Sequence, residues 1–312
     1  MISVALCTYN GEKYLSQQLD SILSQTVPVD EIVIVDDCSR DSTLEIIGDY
    51  LLRFPNIVKL YRNEFNLGSS RNFERALTEC QGDYIFFSDQ DDIWREDKVE
   101  LVVSYLDENN MLGVFSNGKL IDNNNNQVDY FTLFSVLNLQ PYVKSGILDK
   151  FAFEILCLKR NFVTGAALTI TKAAKEVVLP FRVSDYIIHD MWMALRLSEL
   201  HKLGCLDECL ISYRIHPGQQ VGLELYKSKV DPLIDCFFNN GNCRELLPMR
   251  RYSSVPIYYC DLNKKERKTI SQTYWHLYFN NMSQGFFSKI KDLVLFAVSE
   301  TYYFIRTKIG YK

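Results

Sequence analysis

The chain has 312 residues, of which 47% are hydrophobic and 23% charged; this composition predicts a folded core and excludes a disordered or collagen-like protein. Its formal net charge of −5 argues against a protein that binds nucleic acid through overall charge. Residues 261–312 contain nine Lys or Arg and four Asp or Glu, whereas residues 1–260 contain 25 and 35, so only the tail is basic.

Short β-branched segments alternate with helical patterns over the first 121 residues. One helical face, for example, is marked by Leu15, Leu19 and Ile22. We predict strands at 2–6, 31–35, 58–62, 84–88 and 112–121, and helices at 15–23, 44–52, 69–80 and 96–107. This alternation predicts an α/β fold with a mostly parallel, doubly wound sheet.

The pattern is less regular after residue 121. An Asn-rich turn at 122–127 precedes an aromatic segment at 129–156, for which we predict a loop or short helices. A strand at 164–170, a helix at 190–200 and a strand at 203–215 follow. Beyond about residue 225 the pattern is helical and rich in Tyr, Phe, Lys and Arg. We therefore predict an α/β domain at 1–225 and a helical extension at 226–312.

The location of the protein is predicted from three features. Nine cysteines are spread along the chain without a CxxC pair. The first residues lack the pattern of a signal peptide, and no apolar run reaches the roughly 20 residues of a membrane span. These features predict reduced thiols and a cytoplasmic protein, with contact to the inner face of the membrane left open.

The common nucleotide-binding loops are missing. No two glycines are two residues apart, so the GxGxxG fingerprint of dinucleotide-binding folds cannot occur. Residues 113–119 match the start of a P-loop, but Leu120 lacks the hydroxyl that would hold magnesium. Any phosphate group must therefore be bound by other means.

Two predicted strands end in carboxylate clusters. Asp36 and Asp37 follow one strand, and Asp89, Asp91 and Asp92 follow another. Parallel strands end at the same edge of a sheet, so these carboxylates would repel one another unless a cation lies between them. Oxygen ligands favour Mg²⁺ or Mn²⁺, and either ion suits a diphosphate. The alternative is that the carboxylates are helix caps and solvated loop charges.

Four segments carry a family resemblance: 7–11, 35–41, 66–72 and 87–94 (CTYNG, VDDCSRD, NLGSSRN and FSDQDDIW). Together they resemble family 2 glycosyltransferases over about the first 220 residues, and FSDQDDIW resembles bacterial rhamnosyltransferases of polysaccharide assembly. The resemblance implies a GT-A fold and an inverting, metal-dependent transfer from a nucleotide-sugar donor, dTDP-rhamnose or a UDP-hexose. It also implies a glycan or polyprenyl-linked oligosaccharide acceptor in surface polysaccharide biosynthesis.

The resemblance further implies roles for the residues that match the family's early motifs. The pocket for the base and ribose would be lined by Thr8, Tyr9 and Glu12. Asp37 would accept a hydrogen bond from the pyrimidine ring N–H, and Arg71 would lie near the diphosphate or the base. The alternative for Arg71 is an exposed cation on a helix.

The acidic motif would bind the metal. Asp91 would be the principal ligand and Asp89 would face the ribose, although three carboxylates in four residues leave open which of Asp89, Asp91 and Asp92 contact the ion. A late histidine, His216, would be a further ligand, and Arg214 would contact the diphosphate. The alternative places His216 in a surface turn.

Inverting transfer needs a carboxylate that deprotonates the acceptor hydroxyl. Asp190, in the segment 188–192 (IHDMW), resembles the family's base, and His189 would orient it or contact the acceptor. The alternative is that Asp190 only caps the following helix.

The basic, aromatic tail and the function as a whole have competing interpretations. Helical faces rich in Lys, Arg and aromatic residues favour peripheral contact with an anionic membrane, but they also fit packing on the α/β domain or on a second copy in a homodimer. Competing functions are a nucleotidyltransferase, a glycosidase and a non-catalytic sugar-binding or lipid-binding subunit.

Overall fold

The computed structural model describes residues 1–137, 139–144, 148, 152–153, 156, 161–183, 187–216 and 219. The strands are β1 Ile2–Thr8, β2 Glu31–Asp36, β3 Val58–Arg62, β4 Tyr84–Ser88, β5 Ile93–Trp94, β6 Gly113–Ile121, β7 Gln127–Thr132, β8 Leu168–Thr171 and β9 Leu203–Arg214. The helices are α1 Leu15–Leu23, α2 Thr43–Arg53, α3 Ser69–Glu79, α4 Lys98–Glu108, α5 Leu133–Val136, α6 Gln140–Lys144, α7 Lys172–Val178 and α8 His189–Glu199. A 3₁₀ turn spans Gly165–Ala167.

Within these residues the strands form one sheet in the order β3-β2-β1-β4-β8-β6-β9-β5, with β7 paired to β6. Strands β1 to β4 are parallel, as the alternation of strands and helices predicts. Every residue of β1 and β2 is buried, because elements pack on both faces of this part of the sheet. Leu15, Leu19 and Ile22 of α1 are fully buried on one helix face.

The second half of the sheet is mixed. Strand β8 runs antiparallel to both β4 and β6, and β5 runs antiparallel to β9, whereas β6 and β9 are parallel. The fold is therefore mixed α/β, with its parallel half at β1 to β4. This arrangement places the ends of β1, β2 and β4 at one edge, where Thr8 pairs with Asp36 and Leu6 with Ser88.

Strand β5 and helix α7 were not predicted from the sequence, and two further segments differ from the sequence prediction. The Asn-rich turn leads into a hairpin strand, β7, where we predicted irregular structure. The segment predicted as a strand from residue 164 begins as the 3₁₀ turn, and strand β8 starts only at Leu168. Gly165 in this turn lies tightly against α8, because a Cβ atom there would be 2.8 Å from the Nε2 atom of His189.

The predicted boundary at residue 225 and the helical extension at 226–312 lie outside the described residues and stay predictions. Among the described residues, no helix combines the length and the hydropathy needed to cross a bilayer.

Candidate active site

A cavity of about 530 Å³ opens at the carboxyl ends of β1, β2 and β4. Most of the predicted site residues line it: Thr8, Tyr9, Asp37, Asp89, Asp91, His189, Asp190 and His216. Ligands of open α/β sheets bind at this edge, because the loops after the strands converge there. The residues come from the first strand, the acidic motif and the start of α8, so the fold brings together segments that are far apart in sequence.

Asp37 organises one end of the cavity. Its buried carboxylate accepts hydrogen bonds from the backbone N–H groups of Leu67 (2.8 Å) and Gly68 (2.9 Å) and from the Nδ2 atom of Asn63 (2.7 Å). Gly68 has a φ angle of 79°, which favours glycine. Three of about four acceptor positions are thus used within the protein, and the remaining one on Oδ2 can face a ligand.

Asp91 and His216 form a polar pair that also lines the cavity. The Nε2 atom of His216 lies 2.8 Å from Oδ2 of Asp91, and each side chain keeps a small exposed fraction, 14% and 13%. Burial, followed by the charges of Asp91 and Asp190, raises the pKa of the nearby Asp89. A cluster of this kind is stabilised when a cation joins it.

The donor set suits a divalent metal ion. Carboxylate oxygens and an imidazole nitrogen are acceptable ligands for Mn²⁺, and carboxylates for Mg²⁺. Within the described part of the chain, no three His, Cys, Asp or Glu side chains form a complete metal site by themselves. Asp91, His216 and the nearby Asp89 are the residues that would hold such an ion, with ligand oxygens completing its coordination.

Asp190 lies in the first turn of α8 and lines the same cavity as Asp89 and Asp91 of the acidic motif. Its Oδ1 atom accepts hydrogen bonds from Nδ2 of Asn161 (2.8 Å) and from the backbone N–H of Met191 (2.5 Å). Burial raises the pKa of Asp190 to about 7, against these hydrogen bonds, which lower it. A carboxylate with a pKa near neutral is suited to accept a proton at physiological pH.

His189 is buried beside Asp190. Its ring stacks on Phe73 with 4.3 Å between centroids, and neither ring nitrogen has a hydrogen-bond partner among the described residues. Burial lowers the pKa of His189 to about 3, so the imidazole is neutral at pH 7.

Two predicted nucleotide-binding residues do not line the cavity. Arg71 is exposed and forms an ion pair with Glu74 at 2.5 Å, one helical turn along α3. Glu12 is exposed, and its Oε2 atom accepts from the backbone N–H of Ser42 (2.8 Å). Both side chains bond to neighbouring residues outside the cavity lining, and the roles expected for them at the nucleotide stay predictions.

The structure contradicts the role predicted for Arg214, because this residue is completely buried and does not line the cavity. Its guanidinium donates to three carbonyl or amide oxygens near the Asn-rich turn and α1, at Asp122 O (2.9 Å), Asn125 Oδ1 (2.6 Å) and Gln17 Oε1 (3.1 Å). Nε also donates to the backbone oxygen of Asp91 at 2.7 Å. Four of its five N–H donors are used inside the protein, so Arg214 holds the acidic loop in place instead of facing the cavity.

We expect Arg214→Met to lower the free energy of unfolding by about 3 kcal/mol, because buried acceptors would lose a charged donor. Equilibrium urea unfolding measures the change. The matched control is Arg182→Met, which removes an exposed side chain and should change stability by less than about 0.5 kcal/mol. Equal stability of the two variants would contradict the structural role.

Several cavity residues were not predicted. Lys13 is the only Lys or Arg that lines the cavity among the described residues. Its position in the loop that follows β1 is the sequence feature that could have indicated this. Gln90 fixes the loop after β1, with Oε1 accepting from the N–H of Tyr9 (2.8 Å) and Nε2 donating to its oxygen (3.0 Å). Asn161 follows an aperiodic segment, so nothing in the sequence indicated its contact with Asp190.

Comparison with known proteins identifies the class to which this fold and cavity belong. The chain resembles S. aureus TarS 1-349 in complex with UDP-GlcNAc (TM-score 0.55, 20% identity, covering 89% of this chain and 72% of that one). It also resembles the mannosyltransferase PcManGT from Pyrobaculum calidifontis in complex with GDP-Man and Mn²⁺ (TM-score 0.52, 15% identity, 98% and 84% covered). These likenesses show the GT-A type of fold.

The sequence comparisons define the family. Residues 3–174 match the model of glycosyl transferase family 2. The dTDP-rhamnosyl transferase RfbG of Shigella flexneri is 36% identical over 240 residues, which cover 72% of this chain and 76% of that protein. The chain therefore belongs to glycosyltransferase family 2 and is a glycosyltransferase.

Proposed function

We propose that the protein is an inverting, metal-dependent glycosyltransferase that takes a sugar from a nucleotide diphosphate, with dTDP-rhamnose as the first candidate donor. The observation that carries the proposal is that Asp91 and Asp190 line one cavity at the edge where β1, β2 and β4 end. In this proposal Asp91 would help to hold the diphosphate of the donor, and Asp190 would accept the proton of the acceptor that attacks the same sugar.

The donor would lie with its base between Thr8, Tyr9 and Asp37, where Asp37 has an acceptor position left for a pyrimidine N–H. Its diphosphate would extend toward Asp91 and His216, which with Asp89 would hold Mn²⁺ or Mg²⁺. That ion, when bound, offsets the charge that develops on the leaving diphosphate. Lys13 supplies a further positive charge from the cavity wall.

Asp190 would act as the base. As the acceptor oxygen forms a bond to C1 on the face opposite the diphosphate, its proton passes to the Asp190 carboxylate and the C1–O bond to the diphosphate breaks, which inverts the configuration at C1. Asn161 and the N–H of Met191 hold the carboxylate in place. His189 is neutral, and because neither of its ring nitrogens has a partner among the described residues, the role left to it in this proposal is contact with the acceptor.

The choice of donor rests on the relatives. The similarity to a dTDP-rhamnosyl transferase over most of both chains favours dTDP-rhamnose, and the acidic motif favours it too. UDP-hexoses are the alternative, because the TarS structure contains UDP-GlcNAc. A glycan or lipid-linked oligosaccharide acceptor, and membrane or subunit contact through residues 226–312, stay predictions of the sequence.

Thermal stabilisation by a panel of nucleotide sugars, each with and without Mn²⁺, tests this proposal. A ligand that binds only the folded state raises the melting temperature, by an amount that follows its affinity and concentration. We expect the largest shift with dTDP-rhamnose and Mn²⁺, and release of dTDP when acceptor is added. A larger shift with a UDP-hexose would make that sugar nucleotide the donor in place of dTDP-rhamnose. No shift with any nucleotide sugar would refute the proposal.

The rate should also depend on pH in a definite direction. We expect kcat to fall as the pH is lowered through about 7, because burial raises the pKa of Asp190 to about 7 and only the carboxylate can accept the proton. Initial rates between pH 5.5 and 8.5 measure the profile, and melting temperatures over the same range exclude unfolding as the cause. A flat profile would contradict the role of Asp190.

A further inference from the structure

An asparagine that does not line the cavity holds Asp37 from within the protein. Asn63 directly follows β3 and is 3% exposed. The two hydrogens of its Nδ2 atom go to Oδ1 of Asp37 at 2.7 Å and to Oδ1 of Asn72 at 2.8 Å. Its own Oδ1 atom accepts from Nη1 of Arg75 at 2.5 Å. The amide therefore uses both of its donors and connects the end of β3 to α3, which carries Asn72 and Arg75.

The partners at the two ends of this network fix the orientation of both amides. Arg75 has donors only, so the Asn63 atom that faces it must be the oxygen. At the other end, Nδ2 of Asn72 donates at 2.8 Å to the backbone oxygen of Val35, which can only accept. The nitrogen of Asn63 therefore faces Asp37, and the network offers this carboxylate a donor.

The same contacts decide which acceptor position of Asp37 is left for a ligand. Its Oδ1 atom is used twice, by Asn63 and by the N–H of Leu67. Among the described residues, Oδ2 accepts only from the N–H of Gly68. The carboxylate cannot turn about its Cβ–Cγ bond without breaking one of these hydrogen bonds, so the remaining lone pair on Oδ2 has one direction.

Asn63 is the donor to Asp37 that is anchored on both sides. The other two donors are backbone groups of the loop between β3 and α3, in which the Leu67 side chain is 37% exposed. Exposed loops are the more mobile parts of a fold. Asn63 is tied instead to β2 through Asn72 and to α3 through Arg75. It therefore holds the carboxylate against the sheet and α3 and does not depend on the loop.

We propose that Asn63, oriented by Arg75, is a positioning residue that makes the cavity selective for a pyrimidine with a donor at ring N3. Uracil and thymine carry an N–H there, whereas cytosine carries a second acceptor that would face the Oδ2 lone pair. A carboxylate that is free to turn could reach the 4-amino group of cytosine, so holding it still rejects this base. This role rests on the proposed function, in which Asp37 binds the base of the donor.

The test compares the binding of UDP, dTDP and CDP to Asn63→Leu in the full chain by isothermal titration calorimetry, because leucine has a similar size and no donor. We expect the affinity for UDP and dTDP to fall about fivefold and that for CDP to stay within about twofold, so the preference for UDP over CDP narrows. The donor KM should rise while kcat stays within about twofold, since the base is held equally before and during transfer.

The matched control is Asn109→Leu. Asn109 is exposed, and its Nδ2 atom donates at 2.9 Å to the backbone oxygen of Tyr105, outside the cavity lining. Its replacement removes the same chemical group from the surface and should leave all three affinities, KM and kcat unchanged.

A second variant keeps the proposal testable if Asn63→Leu does not fold. Arg75→Met leaves the Asn63 amide in place and removes the donor that orients it, so the preference for UDP over CDP should narrow in the same direction, by about twofold. The control is Arg53→Met, because Arg53 is exposed and lies over the rings of Tyr50 and Phe54. It should leave the preference unchanged.

An unchanged preference for UDP over CDP in the variants would overturn the inference. So would an equal loss of affinity for UDP and CDP with a lower melting temperature, which is the result that a purely structural role predicts. A wild type that binds CDP as tightly as UDP would also overturn it without refuting the proposed transferase. If the wild type binds none of the three nucleotides, the proposed function fails together with this role.

Discussion

Asp190→Asn should lower kcat by at least about 100-fold and leave nucleotide-sugar binding unchanged. The amide keeps the size of the side chain and can still accept the hydrogen bonds of Asn161 and Met191, so the cavity should keep its shape. It cannot accept the proton of the acceptor hydroxyl. Initial rates of nucleoside diphosphate release, measured beside the donor-induced melting shift, separate the two effects.

The matched control is Asp97→Asn. Asp97 precedes the first turn of α4, pairs with Arg95 and does not line the cavity, so its loss should change kcat by less than about twofold. If Asp190→Asn turned over within a few-fold of the wild type, a different group would have to take the proton. If it lost donor binding as well, Asp190 would belong to the donor pocket.

The second large effect is expected at Asp91. Asp91→Asn should remove most of the metal-dependent stabilisation by the donor and lower kcat/KM by about 100-fold or more, because the amide carries no negative charge and His216 with Asp89 would hold the ion far more weakly. Titration of Mn²⁺ into the variant with saturating donor, followed by melting temperature and rate, measures both losses. His216→Ala should show the same change with smaller amplitude, since the carboxylate supplies the charge.

Asp107→Asn serves as the control for Asp91. Its exposed carboxylate accepts from the hydroxyl of Tyr84 at 2.5 Å and does not line the cavity, so metal dependence should be unaffected. A Mn²⁺-dependent melting shift that persists in Asp91→Asn would place the metal on other ligands.

Much of the parallel half of the sheet could be predicted from sequence. Apolar strands and the i, i+4, i+7 spacing of Leu15, Leu19 and Ile22 are patterns within short segments. The structure buries these three residues on one helix face, as the spacing predicts. The convergence of Asp37 and Asp91 followed from the same reasoning, because parallel strands end at one edge of the sheet.

Long-range partners could not be predicted in this way. The position of β8 between β4 and β6 depends on pairings that no local pattern encodes. Arg214 looked like an active-site cation because it is two residues from His216, yet the turn that holds Asp122 and Asn125 supplies its acceptors and buries it. The contact of Asn161 with Asp190 likewise joins two residues that no periodic pattern in the sequence connects.

A crystal structure of the Asp190→Asn variant with dTDP-rhamnose and Mn²⁺ would test most directly whether a single sugar is held between these two carboxylate positions. We predict electron density for the diphosphate and the ion beside Asp91 and His216, with C1 of the sugar between them and residue 190. A diphosphate bound away from Asp91, or a sugar pointing away from residue 190, would contradict the account.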